Sequence, residues 1–414
     1  MSAASPAASL RHDATVISIV GFVHGTSHFF HFMFPPLFPW LMADFGLNFT
    51  QVGLTMTMFF VVSGIGQALA GFLVDKVGAL RVLYGGIGLL ALSGFALSAA
   101  QNFPMLLLAA FFAGLGNSVF HPCDFTLLNR RVSPTRLGHA FSVHGLSGNL
   151  GWAVAPVMLT MIATASGWRL AGIAAGCVGV FALGVLLLNR RLLVDVKPVH
   201  DAARAAGNTF DFLRSPTVWF CFTFFFIVTL AFGALQNYSA PIFERVYAVS
   251  IPVAASALTA YLLASAAGTA TGGFIASRGE TQDRTVAIAL AVAALAAALL
   301  ASAALPAAML PVLMATMGFC VGLSAPSRDI LVRRAATSAF GQRAFGRVYG
   351  FTYSGLDVGF AVAPLVFGPL MDAGRYSHVL WGAATLQLFA IATALTVGSR
   401  SRSPRPESPE GGKP

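Results

Sequence analysis

Charged residues are scarce in this chain of 414 residues: only 10% of them are Asp, Glu, Lys or Arg, and just 15 are acidic. A soluble domain carries roughly 25% charged residues, so this composition excludes a protein whose surface mostly faces water. Hydrophobic residues make up 57% of the chain, and the mean hydropathy is +0.76. We therefore expect most of the surface to face lipid.

Cysteine is also rare, with four residues and no CxxC pair, so structural disulfides are not expected. The sequence lacks a Walker loop, which argues against a transporter driven by ATP hydrolysis. It also lacks a GxSxG motif between a strand and a helix, which argues against an enzyme. The first 15 residues have no charged region followed by a short apolar core and a cleavage site, so no signal peptide is expected. We predict no catalytic residues and no cofactor.

Charge-free stretches repeat along the chain, and many are long enough for one membrane span of about 20 residues. Breaks at residues 101–104 and 305–306 divide the two longest stretches. The sequence thus predicts an all-α integral membrane protein with twelve transmembrane helices. The predicted spans are 16–42, 50–74, 82–100, 104–128, 138–164, 170–189, 216–236, 252–276, 285–304, 308–331, 346–371 and 377–398.

The net charge of +10 reflects topology rather than a nucleic-acid partner. If both termini are cytoplasmic, nearly all Lys and Arg residues fall in cytoplasmic segments, and the opposite side keeps Arg169, Arg245 and Arg375. This asymmetry follows the positive-inside rule. We therefore predict a multi-pass protein of a bacterial inner membrane, monomeric in the lipid bilayer, with both termini in the cytoplasm.

An internal repeat divides the spans six and six. Residues 151–156 read GWAVAP and residues 359–364 read GFAVAP, at corresponding places in the fifth and eleventh spans. Chance similarity among Gly- and Ala-rich helices is the alternative. The repeat predicts two pseudo-symmetric six-helix bundles with a substrate near the midplane. The expected organisation is a cytoplasmic tail (1–15), two bundles (16–189 and 216–398), a cytoplasmic linker (190–215) and a disordered tail (399–414).

The loop after the second span, residues 71–81, reads GFLVDKVGALR. It resembles the signature loop of the major facilitator superfamily. The resemblance implies that Gly71, Asp75, Lys76, Gly78 and Arg81 form a loop that gates the conformational change. An ordinary solvated turn is the alternative.

Residues 148–156 in the fifth span look like the antiporter motif of the same superfamily, although Ala155 replaces its final glycine. Helix packing by small residues explains this pattern equally well.

A narrower resemblance covers the N-terminal half. Residues 27–30, the prolines at 35, 36 and 39, and the run GLGNSVFHP at 114–122 are similar to the fosmidomycin-resistance branch of the superfamily. Cys123, Asp124 and the closely spaced histidines of the first span depart from that branch, so its substrate does not transfer to this chain.

Ionisable side chains inside a membrane are costly and are functional candidates by default. His24, His28 and His31 share one face of the first span, where they could relay protons, contact a solute or only bond to neighbouring helices. His121 and Asp124 lie three residues apart in the fourth span and could pair as a proton site. Alternatively, Asp124 holds that helix end at the surface.

In the second half, Arg328 is the candidate for contacting an anionic substrate. Asp357 lies deep in the eleventh span, and the repeat sets it opposite Asn149 of the fifth. The pair suggests proton coupling, with the amide as hydrogen-bond partner and a structural tie as the alternative.

A transition-metal site built from His121, Cys123, Asp124 and the first-span histidines is the weaker interpretation. Cys123 lies two residues from His121 and points to a different helix face unless the helix breaks at Pro122, so no metal site is predicted.

The sequence thus predicts a proton-coupled secondary transporter that exports a small antibiotic-like, siderophore or anionic compound by alternating access. Proton-coupled uptake of an organic acid or metabolite is the first alternative. A membrane sensor that transports nothing is the second.

Overall fold

A computed structural model describes residues 9–193, 211–278, 282–340 and 345–402, and within these ranges it contains helices and no strand. The α-helices are α1 (Leu10–His31), α2 (Phe38–Phe45), α3 (Phe49–Val77), α4 (Ala79–Ala99), α5 (Phe103–Asn117), α6 (Phe120–Arg131), α7 (Leu137–Ser166), α8 (Trp168–Leu188), α9 (Arg190–Leu193), α10 (Pro216–Tyr247), α11 (Ile251–Arg278), α12 (Gln282–Ser302), α13 (Leu310–Phe340), α14 (Phe345–Asp372) and α15 (Tyr376–Arg402).

Twelve segments among the described residues are long and apolar enough to cross a membrane. They confirm the predicted all-α membrane fold of twelve spans. The boundaries differ most in the seventh span, which is predicted to end at residue 236, whereas α10 continues to Tyr247. Residues 236–239 of that extension are polar and buried. Their low hydropathy makes the apolar stretch end before the helix does.

The first and fourth spans are broken helices. α1 ends at His31, and a short 3-10 turn, Pro35–Leu37, leads into α2. Prolines there lack the N–H groups that would continue the α-helical bonds. In the fourth span the break falls between Asn117 and Phe120, ahead of Pro122, which occupies the first turn of α6. A proline is tolerated in a first turn, since its missing N–H has no intrahelical partner there.

The two halves repeat the same helix crossing. α1 packs against α7, where a Cβ on Gly151 would overlap the main chain of Gly25. α10 packs against α14 in the same way, and a Cβ on Gly359 would lie 2.6 Å from the carbonyl oxygen of Phe226. Small residues allow such close approach between helices in lipid. The sequence repeat therefore corresponds to a structural repeat, as two pseudo-symmetric bundles require.

The bundles meet along two helix pairs, α3 with α14 and α7 with α11. We call the side of the membrane on which α1 begins the terminal face and the opposite side, where α3 begins and α14 ends, the far face. At the far face Asp372 of α14 accepts hydrogen bonds from the main-chain N–H groups of Phe49 (2.6 Å) and Thr50 (3.1 Å), at the start of α3. The carboxylate thereby joins the two bundles.

The far half of the interface is closed by continuous buried segments. Every residue from 29 to 38 and from 233 to 243 is buried. Gln236 of α10 donates a hydrogen bond of 2.8 Å to the carbonyl oxygen of His31, at the end of α1. Nearer the membrane centre, the rings of Phe60 and Phe360 stack across the interface, with centroids 4.5 Å apart. The far face is therefore shut in this conformation.

The segments predicted between and beyond the bundles fall mostly outside the described residues. α1 begins at Leu10, within the predicted N-terminal tail. Of the predicted linker, α9 and a short turn at Asp211–Arg214 flank residues 194–210, which lie outside. α15 continues to Arg402, and residues 403–414 lie outside. The domain boundaries therefore stay predictions.

Candidate functional site

Five histidines and one aspartate meet inside the first bundle, and we call this group the histidine cluster. Its members come from α1, α6 and α7: His24, His28, His31, His121, Asp124 and His144. The α1 histidines form a continuous row, with ring centroids 4.4 Å apart from His24 to His28 and 4.8 Å from His28 to His31. The spacing of four and three residues places them on one helix face.

Asp124 is the centre of the cluster. Its side chain is 0% exposed, and its Oδ2 atom lies 3.1 Å from His24 Nδ1 and 3.2 Å from His144 Nε2. The two imidazole rings stack on each other with centroids 3.5 Å apart. Asp124 is thus enclosed between α1 and α7, and the interpretation that it holds a helix end at the surface is wrong.

The i, i+3 spacing predicts a hydrogen-bonded pair of His121 and Asp124, but the structure gives them different partners. His121 Nδ1 lies 3.0 Å from Gln67 Oε1 on α3, whereas Asp124 takes its partners from α1 and α7. His121 stays close to the cluster, with its ring centroid 5.4 Å from that of His24. Asp124 therefore joins α6 to α1 and α7, and does not bond to His121 on its own helix.

His144 is a site residue that the sequence analysis missed. The residue lies in the predicted fifth span, and the same rule that selects the other buried ionisable groups would have found it. The exposed His139 lies five positions earlier on the same helix. Only the packing of α7 against α1 distinguishes the buried histidine from the exposed one.

The rim of the cluster is built from hydrogen bonds and ring stacking. His31 Nε2 lies 2.9 Å from Asn117 Oδ1, and the Asn117 amide donates to Ser63 Oγ at 2.8 Å. Asn117 is the last residue of α5, so the helix break places its side chain toward α1. The indole of Trp152 stacks on His28 with centroids 4.6 Å apart. These contacts hold the α1 histidines in place from α5 and α7, and Ser63 of α3 in turn holds Asn117.

Several polar atoms of this region are buried without a hydrogen-bond partner among the described residues. They are Asp124 Oδ1, His28 Nδ1, His31 Nδ1 and Trp152 Nε1. Native proteins satisfy nearly all buried polar atoms, so each exception requires a partner such as a water molecule, a ligand or an ion. The cluster therefore has free donor and acceptor capacity for a bound species.

Asp357 lies apart from the histidine cluster. It lines a cavity of about 500 Å³ between α3 and α14, whose walls are otherwise mostly apolar. Asn149 lies half-buried on α7, and in the described part of the chain no hydrogen bond joins it to Asp357. The expectation that the amide is the partner of this carboxylate is therefore wrong. Pseudo-symmetric positions lie in different bundles and need not touch.

The remaining candidates occupy the second bundle and the loop after the second span. The guanidinium of Arg328 lies 4.8 Å above the ring of Phe225 in a partly buried position. This cation–π contact is inside the second bundle. Arg328 therefore belongs to the second bundle, whereas the histidine cluster lies in the first.

In the loop, Gly78 joins α3 directly to α4 with φ at +95°, a backbone region that favours glycine. Gly71, Lys76 and Arg81 are exposed, and the side chain of Asp75 lies outside the described residues. The hairpin is therefore tight, and its basic residues face away from the bundle core.

The Major Facilitator Superfamily model matches residues 20–342, most of the chain. The chain belongs to the major facilitator superfamily. Its family and fold are those of secondary transporters rather than of enzymes, and its twelve apolar helices among the described residues are those of a multi-pass membrane protein.

Characterised and uncharacterised relatives span several activities. An uncharacterized MFS-type transporter of Bacillus subtilis, YfnC, is 30% identical over 36% of each chain. The fosmidomycin resistance protein of Escherichia coli is 32% identical over 38% of this chain and 40% of the relative. The membrane sensor protein UhpC of the same species is 23% identical over 82% of this chain and 81% of the relative. The chain thus spans about two fifths or less of the length of the first two.

Solved structures support the fold. An inward-facing, occupied structure of a bacterial homolog of the human lysosomal transporter Spinster has a TM-score of 0.73 and covers 95% of this chain and 97% of the other. The sequences are 15% identical. This likeness establishes the shared architecture.

Proposed function

We propose that this chain is a proton-coupled secondary transporter of the bacterial inner membrane, and that it exports a small antibiotic-like, siderophore or anionic compound by alternating access. The observation that carries the proposal is the environment of Asp124. Its carboxylate is fully buried inside the bundle, with two imidazoles on one oxygen. Acid and histidine chains of this kind serve as proton relays in membrane transporters.

The chemistry of this group suits reversible proton binding. An ionised carboxylate inside a membrane costs several kcal/mol unless it is paired. His24 and His144 offer that pairing when one of them carries a proton, and imidazole exchanges protons near neutral pH. The group can therefore gain or lose a proton without leaving an isolated charge.

Access to the group is one-sided in this conformation. The buried segments at the far face separate it from that side, whereas His28 and His121 are partly exposed beside it. We propose that protons enter and leave along these two histidines. If both termini are cytoplasmic, the structure corresponds to an inward-facing state, and the opposite state would connect the group to the periplasm.

The other predicted residues take supporting roles in this proposal. Asp357, the ionisable residue among those that line the cavity between α3 and α14, is the candidate for a second proton site. Arg328 would attract an anionic solute, and Asn149 would contact the solute from the first bundle. The loop residues Gly71, Asp75, Lys76, Gly78 and Arg81 would bias the balance between the two states. We propose a monomer.

Export is favoured by the similarity to the fosmidomycin resistance protein, which extends over 171 residues. The similarity to UhpC extends over more of the chain and favours the sensor interpretation. The two interpretations differ in one measurable respect: a sensor moves no solute.

The test uses purified protein in proteoliposomes that contain a pH-sensitive dye, with fosmidomycin and a panel of siderophores and organic acids as solutes. We expect solute-dependent proton flux in the wild type and its loss in Asp124→Asn, while solute exchange without a gradient continues. Asp44→Asn is the matched control, because Asp44 bonds to Trp168 within the first bundle at the far face.

Two outcomes would contradict the proposal. Uphill transport that survives Asp124→Asn would remove the coupling role of this carboxylate. A wild-type protein that moves no solute across the panel would favour a sensor.

In intact cells, dissipating the proton gradient should raise the cellular content of an exported solute and lower that of an imported one.

A further inference from the structure

We propose that the histidine cluster binds a late first-row transition metal ion of the Zn²⁺ class, with His24, Asp124 and His144 as ligands. The inference goes beyond the proposed function, because it assigns a ligand to the cluster whichever compound the protein transports. Imidazole nitrogen and carboxylate oxygen form the set of donors that such ions bind in proteins.

The ligand atoms already have the spacing of a coordination site. Zn²⁺ binds histidine nitrogen at about 2.0–2.1 Å and carboxylate oxygen at about 2.0–2.2 Å, so two ligands of a tetrahedral ion lie roughly 3.3 Å apart. The two nitrogen atoms lie 3.1 and 3.2 Å from Asp124 Oδ2, and all three donor atoms lie within 4.8 Å of one another. The rings of His24 and His144 are stacked with their planes 22° apart, so both side chains would have to rotate out of the stack to direct their nitrogen lone pairs at one ion.

Hydrogen bonds from imidazole to carboxylate have similar distances, so spacing alone does not decide between the two. The unpartnered oxygen of Asp124 favours a bound ion. Asp124 is ionisable and fully buried, its charged or titratable neighbours among the described residues are imidazoles, and its Oδ1 atom has no partner. A divalent ion would neutralise the carboxylate and engage lone pairs that hydrogen bonds leave unused.

A second group of donors adjoins the first and offers an entry path. His24, His28 and His121 also bring three donor atoms within 4.8 Å of one another. The Nε2 atom of His24 and the Nδ1 atom of His28 both lie beside Gly148, at 3.1 and 2.7 Å from the place a Cβ would occupy. His28 and His121 are partly exposed, whereas the first group is buried. An ion could therefore pass from the accessible pair to the buried site through His24.

The donor set also indicates which ions fit. It contains no sulfur, and Cys123 on α6 is buried in the hydrophobic core. Hard cations such as Mg²⁺ and Ca²⁺ prefer an all-oxygen shell, so a site rich in imidazole favours Zn²⁺, Co²⁺, Ni²⁺ or Cu²⁺. Three protein ligands leave a coordination position open for water or for a chelating solute.

The test uses the full chain in lipid nanodiscs, freed of metal and titrated with ZnCl₂ by calorimetry. We expect at least one Zn²⁺ per chain, and a dissociation constant that is weakened by about tenfold or more in His144→Gln and Asp124→Asn. His139→Gln is the matched control, because His139 is exposed on the same helix. The control should bind Zn²⁺ as the wild type does.

A wild-type measurement guards against variants that fail to fold. Co²⁺ should give the visible absorption of a tetrahedral complex and should quench Trp152, whose indole stacks on His28. No Zn²⁺ binding by the wild type, or equal binding by wild type and by folded His144→Gln, would overturn the inference. Proton-coupled transport by a protein that binds no metal would leave the proposed function standing, and metal binding without proton flux would support this inference alone.

Discussion

The contact between Asp372 and the start of α3 is expected to hold the far face closed. Both carboxylate oxygens are used: Oδ1 accepts from Phe49 N at 2.6 Å, and Oδ2 accepts from Thr50 N at 3.1 Å and from the Thr50 hydroxyl at 2.5 Å. Asn48 caps the next N–H group of α3, that of Gln51. Asp372 thus completes the N-terminal cap of a helix in the other bundle, and only while the far face is closed.

The size of the effect follows from the cap. Loss of an N-cap side chain costs about 0.5–2 kcal/mol, and a carboxylate near a helix N-terminus contributes about 0.3–1 kcal/mol when exposed. Asp372 is exposed, so water replaces part of each interaction. We expect Asp372→Ala to weaken the closed state by about 1–2 kcal/mol, or 5- to 30-fold in population. A minor open state of about 1% would rise to between about 5 and 25%.

The assay is double electron–electron resonance, which measures distances between spin labels. The labels are attached to cysteines placed at the exposed positions Ala43 and His378, after replacement of the exposed native Cys177. Asp372→Ala should enlarge the long-distance population. Asp44→Asn removes a charge at the same face, but its bond to Trp168 lies within one bundle, so its distribution should match the parent. Equal distributions for Asp372→Ala and the parent would refute the expectation that Asp372 holds the far face closed.

Two further predictions concern packing and the second carboxylate. Gly151→Ala should lower the thermal unfolding temperature in detergent, because its Cβ would overlap Gly25 and overpacking costs about 1–3 kcal/mol. Gly71→Ala, with open space around the glycine, should leave the temperature unchanged or raise it, and a similar loss in both variants would contradict this reasoning. Asp357→Asn should abolish proton-driven transport in proteoliposomes while solute counterflow continues, and uphill transport at the wild-type rate would remove Asp357 from coupling.

The number of spans and the fold were accessible to sequence because hydropathy is a local property. A stretch of about 20 apolar residues must cross the membrane wherever it lies in the fold. The repeat at residues 151–156 and 359–364 is local in the same sense, since each copy packs its glycine against the first helix of its own bundle. These features need no knowledge of which helices are neighbours.

The hydrogen-bond partners of the buried polar groups could be predicted only by knowing which helices are neighbours. Asp124 bonds to His24, which is 100 residues away, and not to His121 on its own helix. His121 and Asp124 both lie in α6, so their i, i+3 spacing is helical, but their hydrogen-bond partners lie on α3, α1 and α7. The place of His144 in the predicted fifth span makes it a candidate, but only the packing of α7 against α1 separates it from the exposed His139. The contact between Asp372 and Phe49 spans 323 residues and follows from assembly of the two bundles.

α1 connects the histidine cluster to the closed far face. Its histidines bind α5 and α6 through Asn117 and Asp124, and the carbonyl oxygen of its last residue, His31, accepts the hydrogen bond from Gln236 of the other bundle. Opening the far face must separate α10 from α1 and break that bond. A proton or an ion at Asp124 changes how firmly α1 is held to its own bundle, so it changes the position of the residue that Gln236 must reach. The occupancy of the cluster and the closure of the far face therefore act on the same helix, through contiguous contacts of the kind that can transmit coupling.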